Sequence, residues 1–276
     1  MKILVLAPFG AIEPNAQQNL SARARPGTTV VCECLKDVFP LPYNTYQYNL
    51  TKVIDGTVER AIRAQAEGFD AMVISCMLDP GLIQARGVVD IPVVGTLETT
   101  AHVASMMGNR FTLINADATV CAQMERLLDF YGLTGKYTRL RHINIVSCDL
   151  YPEKTPTGEV FRRVKEQAEK AVREDGAEVI IAGCTIIGSM LTQHHGKDPQ
   201  GFLKNIPVLD GILVGFKFAE LMSDLVQLGY PAVSRLGFWK QPPKEEGVFL
   251  CDWYTKNPSP FEYNWERLNG ATAQPR

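Results

Sequence analysis

The sequence predicts an α/β fold with parallel sheets, organised as two similar halves, and three observations carry that expectation. Two stretches look like copies of one another, Gly68-Phe-Asp-Ala-Met-Val-Ile-Ser-Cys76 and Gly176-Ala-Glu-Val-Ile-Ile-Ala-Gly-Cys184, each reaching its cysteine eight residues after the glycine. Asp90-Ile-Pro-Val-Val-Gly95 and Asn205-Ile-Pro-Val-Leu-Asp-Gly211 follow them within about one helix length. Each copy therefore reads as strand, cysteine turn, helix, strand. The second observation is that the Val/Ile runs are continuous rather than alternating, which suits strands covered on both faces. The third is that such runs alternate with helical patterns along the chain.

Taken in order, Lys2 to Ala7 is a strand by its unbroken aliphatic run, and Pro8-Phe-Gly10 ends it in a ligand-side loop. Ala11 to Arg25 is a polar helix stopped by Pro26-Gly27, and Thr28 to Leu35 is the next strand. Phe39 to Tyr48 forms a loop rich in proline and tyrosine, whose rings either line a substrate pocket or cap the sheet. Val53 to Glu67 has a helical apolar face before the first cysteine unit, and Asp79-Pro80-Gly81 punctuates the turn after Cys76. A helix over Thr99–Gly108, a strand over Arg110–Asn115, an amphipathic helix over Ala118–Tyr131 and a strand over Tyr137–Val146 follow. The long helix Gly158–Asp175 leads into the second cysteine unit, a helix around Gly188–His195, the strand Ile206–Asp210 and a last helix Leu213–Leu228. From Gly229 onward prolines accumulate and all three tryptophans appear, Trp239, Trp253 and Trp265. So aromatic a segment packs on its own subunit or on a neighbour rather than hanging in water.

A chain of 276 residues with 46% hydrophobic content buries a substantial core. Its 28 basic and 30 acidic side chains nearly cancel, and no run of lysine and arginine gives an electrostatic footprint for nucleic acid. No apolar stretch reaches the ~18 residues of a membrane span, and the start runs into Pro8 too soon for a signal peptide. The expected setting is cytoplasmic, with a small neutral or anionic ligand as partner. Seven scattered cysteines, an odd number in apolar runs, argue for reduced thiols rather than a disulfide framework.

Ligand chemistry in parallel sheets gathers at the carboxyl ends of strands, and Cys76 and Cys184 both fall there. A repeated unit of this kind packs about a pseudo-two-fold axis, which brings the two cysteines to opposite walls of one cleft. At that place backbone N–H groups and a helix N-terminus favour a thiolate. Two facing thiols act as base and acid on opposite faces of one carbon, which inverts a stereocentre without metal or cofactor, provided donors stabilise the carbanion's oxygen. Buried structural cysteine is the ordinary fate of this residue, but the matched units weigh against it here. Candidate substrate contacts are Pro8 and Phe9 after the first strand, Tyr43 in the tyrosine loop, Met77 and Thr185 beside the cysteines, and Thr96. Glu98 and Asp210, just past matching strands, either orient substrate or cap helices, capping being the simpler account. Cys32-Glu-Cys34 lacks the second ligand pair that zinc needs and is read as structural. His194-His195 is read as a polar helix end, and no phosphate-binding glycine loop is present.

At these residues the chain resembles the aspartate/glutamate/hydantoin racemase superfamily, and most of all its hydantoin and allantoin racemase branch. Phe69 through Cys76-Met-Leu-Asp-Pro-Gly81 to Ile91-Pro-Val-Val-Gly-Thr-Leu-Glu98 looks like that branch's first half. Gly176 to Cys184, followed by Ile206-Pro-Val-Leu-Asp-Gly211, looks like its second. The resemblance spans residues 1 to 230. It implies two pseudo-symmetric Rossmann-like lobes with mainly parallel four-stranded sheets, residues 1–98 plus 207–230 and residues 99–206, followed by an aromatic-rich extension over 231–276. It also implies a cofactor-independent site between the lobes and a homo-oligomer. The branch commonly opens on a strand ending in Asn-Pro-Asn-Thr, where this chain has Ala7-Pro-Phe-Gly-Ala-Ile-Glu13, so contacts made there do not carry over. Racemisation of a cyclic ureide or amino-acid derivative is the leading expectation. The alternatives are a cis–trans isomerase or decarboxylase of a small dicarboxylate, and a binding protein that keeps the cleft.

Overall fold

The computed structural model describes residues 1–9, 15–35, 46–194, 203 and 205–241. Residues Met1–Lys240 form one compact unit. It contains two parallel sheets. The first has the strands β1 (Lys2–Ala7), β2 (Thr29–Cys34), β3 (Ala71–Ile74) and β4 (Val93–Gly95) in the order β2-β1-β3-β4. The second has β5 (Phe111–Asn115), β6 (Arg141–His142), β7 (Val179–Ala182) and β8 (Val208–Leu209) in the order β6-β5-β7-β8. Every pairing is parallel, so the strand order repeats and each cysteine follows the third strand of its half.

The continuous apolar runs are explained by helices on both faces of each sheet. In the first sheet, Ile3, Val5, Val73 and Val94 point to α1 (Ala16–Ser21) and α8 (Gly211–Gln227), meeting Leu20, Ile212, Phe216 and Ala219. Leu4, Leu6, Met72 and Ile74 point the other way, to α2 (Gln47–Ala66) and α3 (Leu82–Arg86). In the second sheet, Phe111, Leu113, Val179 and Ile181 pack on α4 (Thr96–Met107) and α5 (Ala118–Phe130). Ile114, Ile180 and Ala182 pack on α6 (Thr157–Asp175) and α7 (Thr185–His194). The helices α4 and α8 thus follow a strand of one sheet and pack on the other. No helix among the described residues is long and apolar enough to cross a membrane.

Several boundaries differ from the sequence reading. The segment read as a strand from Tyr137 to Val146 makes one isolated bridge at Tyr137 and a ladder over Arg141–His142 alone, then a 3₁₀ turn at Ser147–Asp149. Polar Arg139, Arg141 and Asn144 interrupt the apolar run, and Asn144 takes φ +54°, which ends extended pairing. The strand read over Ile206–Asp210 is Val208–Leu209, and it pairs with β7. β8 belongs to the ladder of the second sheet, and α8 begins directly after Asp210. The helix read from Val53 begins at Gln47, with Tyr46 and Tyr48 exposed at its start. Of the C-terminal extension, the described part is anchored by Arg235, which donates to the carbonyls of Arg86 (2.6 Å) and Val89 and to Asp90 Oδ1 (2.9 Å). The Trp239 ring lies 5.7 Å from the Arg86 guanidinium. Tyr43, His195, Trp253 and Trp265 lie outside the described residues.

Candidate active site

β3 delivers Cys76 to a tight turn at its carboxyl end. Asp79 N–H returns to the Cys76 carbonyl at 3.0 Å, and the turn needs unusual backbone, with φ +42° at Asp79 and φ +81° at Gly81. A Cβ on Gly81 would stand 2.9 Å from Thr57 Cβ, so glycine is required there by space as well as by φ. β7 delivers Cys184 to the residue before α7, where Gly188 N–H closes the first helical turn on the Cys184 carbonyl at 2.9 Å. Thr185 Oγ1 reaches across to the Ser75 carbonyl at 3.5 Å, which joins the two cysteine turns.

Both cysteines line one pocket. Its apolar wall comes from Pro8, Phe9, Met77, Leu78, Ala116, Val120, Met124 and Ile186. Ser75, Asn115, Ser147 and Thr185 add neutral hydrogen-bonding groups. Each thiol is half-buried. Burial raises the Cys76 thiol well above its ordinary range; Leu78 N–H directed at its sulfur opposes this, and the charges of Asp79 and Cys184 add to it. Burial also raises Cys184, against two N–H groups, those of Ile186 and Ile187, directed at its sulfur. Asp79, buried behind the Cys76 turn, is pushed up to about 7 by burial, opposed by the N–H groups of Glu98 and Leu97.

Of the residues read from the sequence, Cys76, Cys184, Pro8, Phe9, Met77 and Thr185 meet at this pocket. Thr96, Glu98 and Asp210 do not line it. Thr96 is fully buried in the first turn of α4, against the α8 backbone at Gly215. Glu98 is held by Arg86 through two bonds, 2.9 Å and 2.5 Å. Asp210 caps α8 through Ile212 N–H (2.9 Å) and accepts from Thr192 Oγ1 (2.8 Å), beside a separate, much smaller recess. Strand-end polar residues serve caps as readily as ligands; of the three, Asp210 caps a helix, while Glu98 is taken by its ion pair with Arg86. Sequence reasoning missed Asn115, which ends β5 as Ala7 ends β1 and could have been found by the strand-end rule. It also missed Ser147, Val120 and Met124, of which the last two read as ordinary helix core. Among the described residues no group of three or more His, Cys, Asp or Glu could hold a metal ion, and Cys32 and Cys34 lie on β2.

This architecture recurs in solved structures. An allantoin racemase from Klebsiella pneumoniae superposes with a TM-score of 0.73 at 26% identity, covering 88% of this chain and 94% of that one. A mutant of arylmalonate decarboxylase shares the fold more distantly, with a TM-score of 0.56 at 15% identity over 80% of this chain and 92% of its own. Fold and relatives together define an α/β racemase, an isomerase. The hydantoin racemase of Pseudomonas sp. (strain NS671) is 31% identical over 259 residues, 93% of this chain and 98% of that protein. The profile of the Asp/Glu/Hydantoin racemase family matches residues 11–219, and the chain belongs to that family.

Proposed function

We propose that this enzyme inverts a carbon acid within a hydantoin-like ring or a related amino-acid derivative, by proton transfer between Cys76 and Cys184 without a cofactor. The observation that carries the reading is that both thiols line one pocket, each with backbone N–H directed at its sulfur. One cysteine, as thiolate, takes the proton as the C–H bond breaks and its own S–H bond forms. The other gives its proton to the opposite face, so a C–H bond forms and a thiolate is left there. Between the two steps the electron pair is delocalised onto the adjacent carbonyl, whose oxygen needs hydrogen-bond donors. Ser75, Asn115, Ser147 and Thr185 are the side chains that can supply them.

The wall chemistry supports a neutral ring over a dicarboxylate. Two carboxylates would call for cationic partners, and the described pocket walls are apolar or neutral. The names of the hydantoin and allantoin racemases among the relatives point the same way. The reading includes a cytoplasmic homo-oligomer as the working form.

Deuterium wash-in tests it, followed by NMR for both enantiomers of allantoin and of 5-substituted hydantoins in wild type, Cys76→Ser and Cys184→Ser. Inversion should fall by about 10² to 10⁴ in each variant. Each variant should keep exchange into one enantiomer only, and the two should choose opposite enantiomers. Full inversion by either variant, or exchange surviving on the same enantiomer in both, would overturn the two-face mechanism. Release of carbon dioxide from a small diacid, with no exchange in the ring compounds, would replace it with the decarboxylase.

A further inference from the structure

We propose that Cys184 ionises more readily than Cys76, and that Asp79 is the positioning residue that enforces this order. The inference rests on the two-thiol reading above and gives it a direction.

The cysteine turns match in sequence but differ in the groups aimed at each sulfur. Cys184 immediately precedes the ten-residue α7, and the N–H groups of Ile186 and Ile187 are both directed at its sulfur. Unsatisfied N–H groups at a helix N-terminus favour negative charge. Cys76 has no such helix behind it. Its turn closes on itself through Asp79 N–H, α3 begins only at Leu82, and the single N–H of Leu78 is directed at its sulfur. Beside it stands the carboxylate of Asp79, whose charge opposes a second negative charge on Cys76.

Asp79 is fixed in that place. Its Oδ1 accepts from Leu97 N–H at 3.0 Å, and its Oδ2 accepts from Glu98 N–H at 2.8 Å and from the Tyr131 hydroxyl at 3.0 Å. These donors belong to the first turn of α4 and to the residue after α5, so one buried carboxylate ties the Cys76 turn to two helices. The charged and titratable groups facing it are Cys76, Tyr131 and Glu98, the last paired with Arg86. On the other side, Asp117 is the acid nearest in influence to Cys184, and it is the smallest of the influences there. The N–H groups of Thr119 and Val120, at the start of α5, meet its charge. Asp79 titrates at about 7, so its charge is present over the alkaline range in which thiols ionise. Whatever thiolate the resting enzyme holds therefore lies chiefly on the Cys184 face. The enantiomer whose hydrogen faces Cys184 reacts without a prior exchange of protons between the thiols.

Site-resolved alkylation tests this without turnover. The protein is treated with iodoacetamide across about pH 6 to 10, and the Cys76 and Cys184 peptides are quantified by mass spectrometry. Midpoints of the pH profiles are compared, since these report ionisation rather than access. The Cys184 midpoint should lie below that of Cys76 by a unit or more, which is about a tenfold difference in thiolate fraction at neutral pH. In Asp79→Asn the Cys76 profile should move to lower pH while that of Cys184 stays. Tyr131→Phe should move it the same way by less, because losing a donor leaves more of Asp79 neutral, and this variant decides the matter if Asp79→Asn does not fold. A Cys76 midpoint at or below that of Cys184 in wild type would overturn the order of ionisation. A Cys76 profile unmoved in the folded variants would overturn the role of Asp79. Failure of the racemase reading would appear in the deuterium exchange instead.

Discussion

At the residue scale the site depends on small residues placed behind the reacting ones. A Cβ on Gly183 would stand 2.3 Å from Asn115 Oδ1, and one on Gly95 would stand 2.6 Å from Asp79 Oδ2. Asn115 cannot turn aside freely, because its Nδ2 donates to Cys121 Sγ at 3.5 Å and the residue is fully buried. Gly183→Ala should therefore cost about 1–3 kcal/mol through overpacking and depress inversion, since Cys184 is the next residue; thermal unfolding and the inversion rate together check this. Asp79 gives a second expectation. Its folded-state value, about 7, lies above the ordinary 3.8, so the native state holds the proton more tightly than the unfolded chain. The stability this contributes is complete below about pH 4 and is lost as pH rises through about 7. Urea unfolding at pH 5.5 and pH 8 should show wild type losing more stability across that interval than Asp79→Asn. Equal losses would mean that Asp79 does not carry the linked proton. The cysteines were legible in the sequence because repetition marked them. Asp79 was visible only as part of a turn, since burial and its three donors exist only after folding.

At the scale of elements, legibility followed how each segment is held. Strands β1, β3, β5 and β7, and helices with a clear apolar face such as α5 and α6, were readable because burial on one or both faces dictates their residues. β6 was misjudged because side chains do for it what a ladder does elsewhere. Arg141 donates through Nε to Asp175 Oδ2 at 2.6 Å, and through Nη2 to Asp175 Oδ1 at 3.0 Å and Glu174 Oε2 at 2.9 Å. This clasp fastens a two-residue edge strand to the end of α6, and Arg141 and Asp175 are both mostly buried there. The 3₁₀ turn that brings Ser147 to the pocket follows within a few residues. Arg141→Met should lower stability by about 1–3 kcal/mol, and it should raise KM more than it lowers kcat because the pocket wall moves while the thiols do not. An unchanged KM in a destabilised variant would separate the clasp from the site.

At the scale of the whole molecule, the repeat made two halves legible, but how they are joined was not, because the joining elements are ordinary helices in sequence. α4 leaves the first sheet and packs on the second, while α8 leaves the second and packs on the first through Ile212, Phe216 and Ala219. The start of α8 touches α7 and the Cys76 turn. Asp210 holds Thr192 of α7, and a Cβ on Gly211 would stand 2.6 Å from Met77 Sδ, next to Cys76. Farther along, Glu220 is 2% exposed and binds Lys217 Nζ at 2.8 Å and Arg25 N–H at 2.9 Å, which fixes the helix against the first half. Neither sheet can lose its exchanged helix without uncovering an apolar face, and uncovering a few large side chains costs several kcal/mol. The halves should therefore unfold together, although they look like two domains by repetition. Native-state hydrogen exchange gives the test. The amides of β3 and of β7 should share one highest opening free energy, equal to that of global unfolding, and both should fall by the same amount in Phe216→Ala, a core truncation worth about 3–5 kcal/mol. If β7 kept its protection while β3 lost it, the second half would stand alone, and the exchange of helices would serve only to position the site.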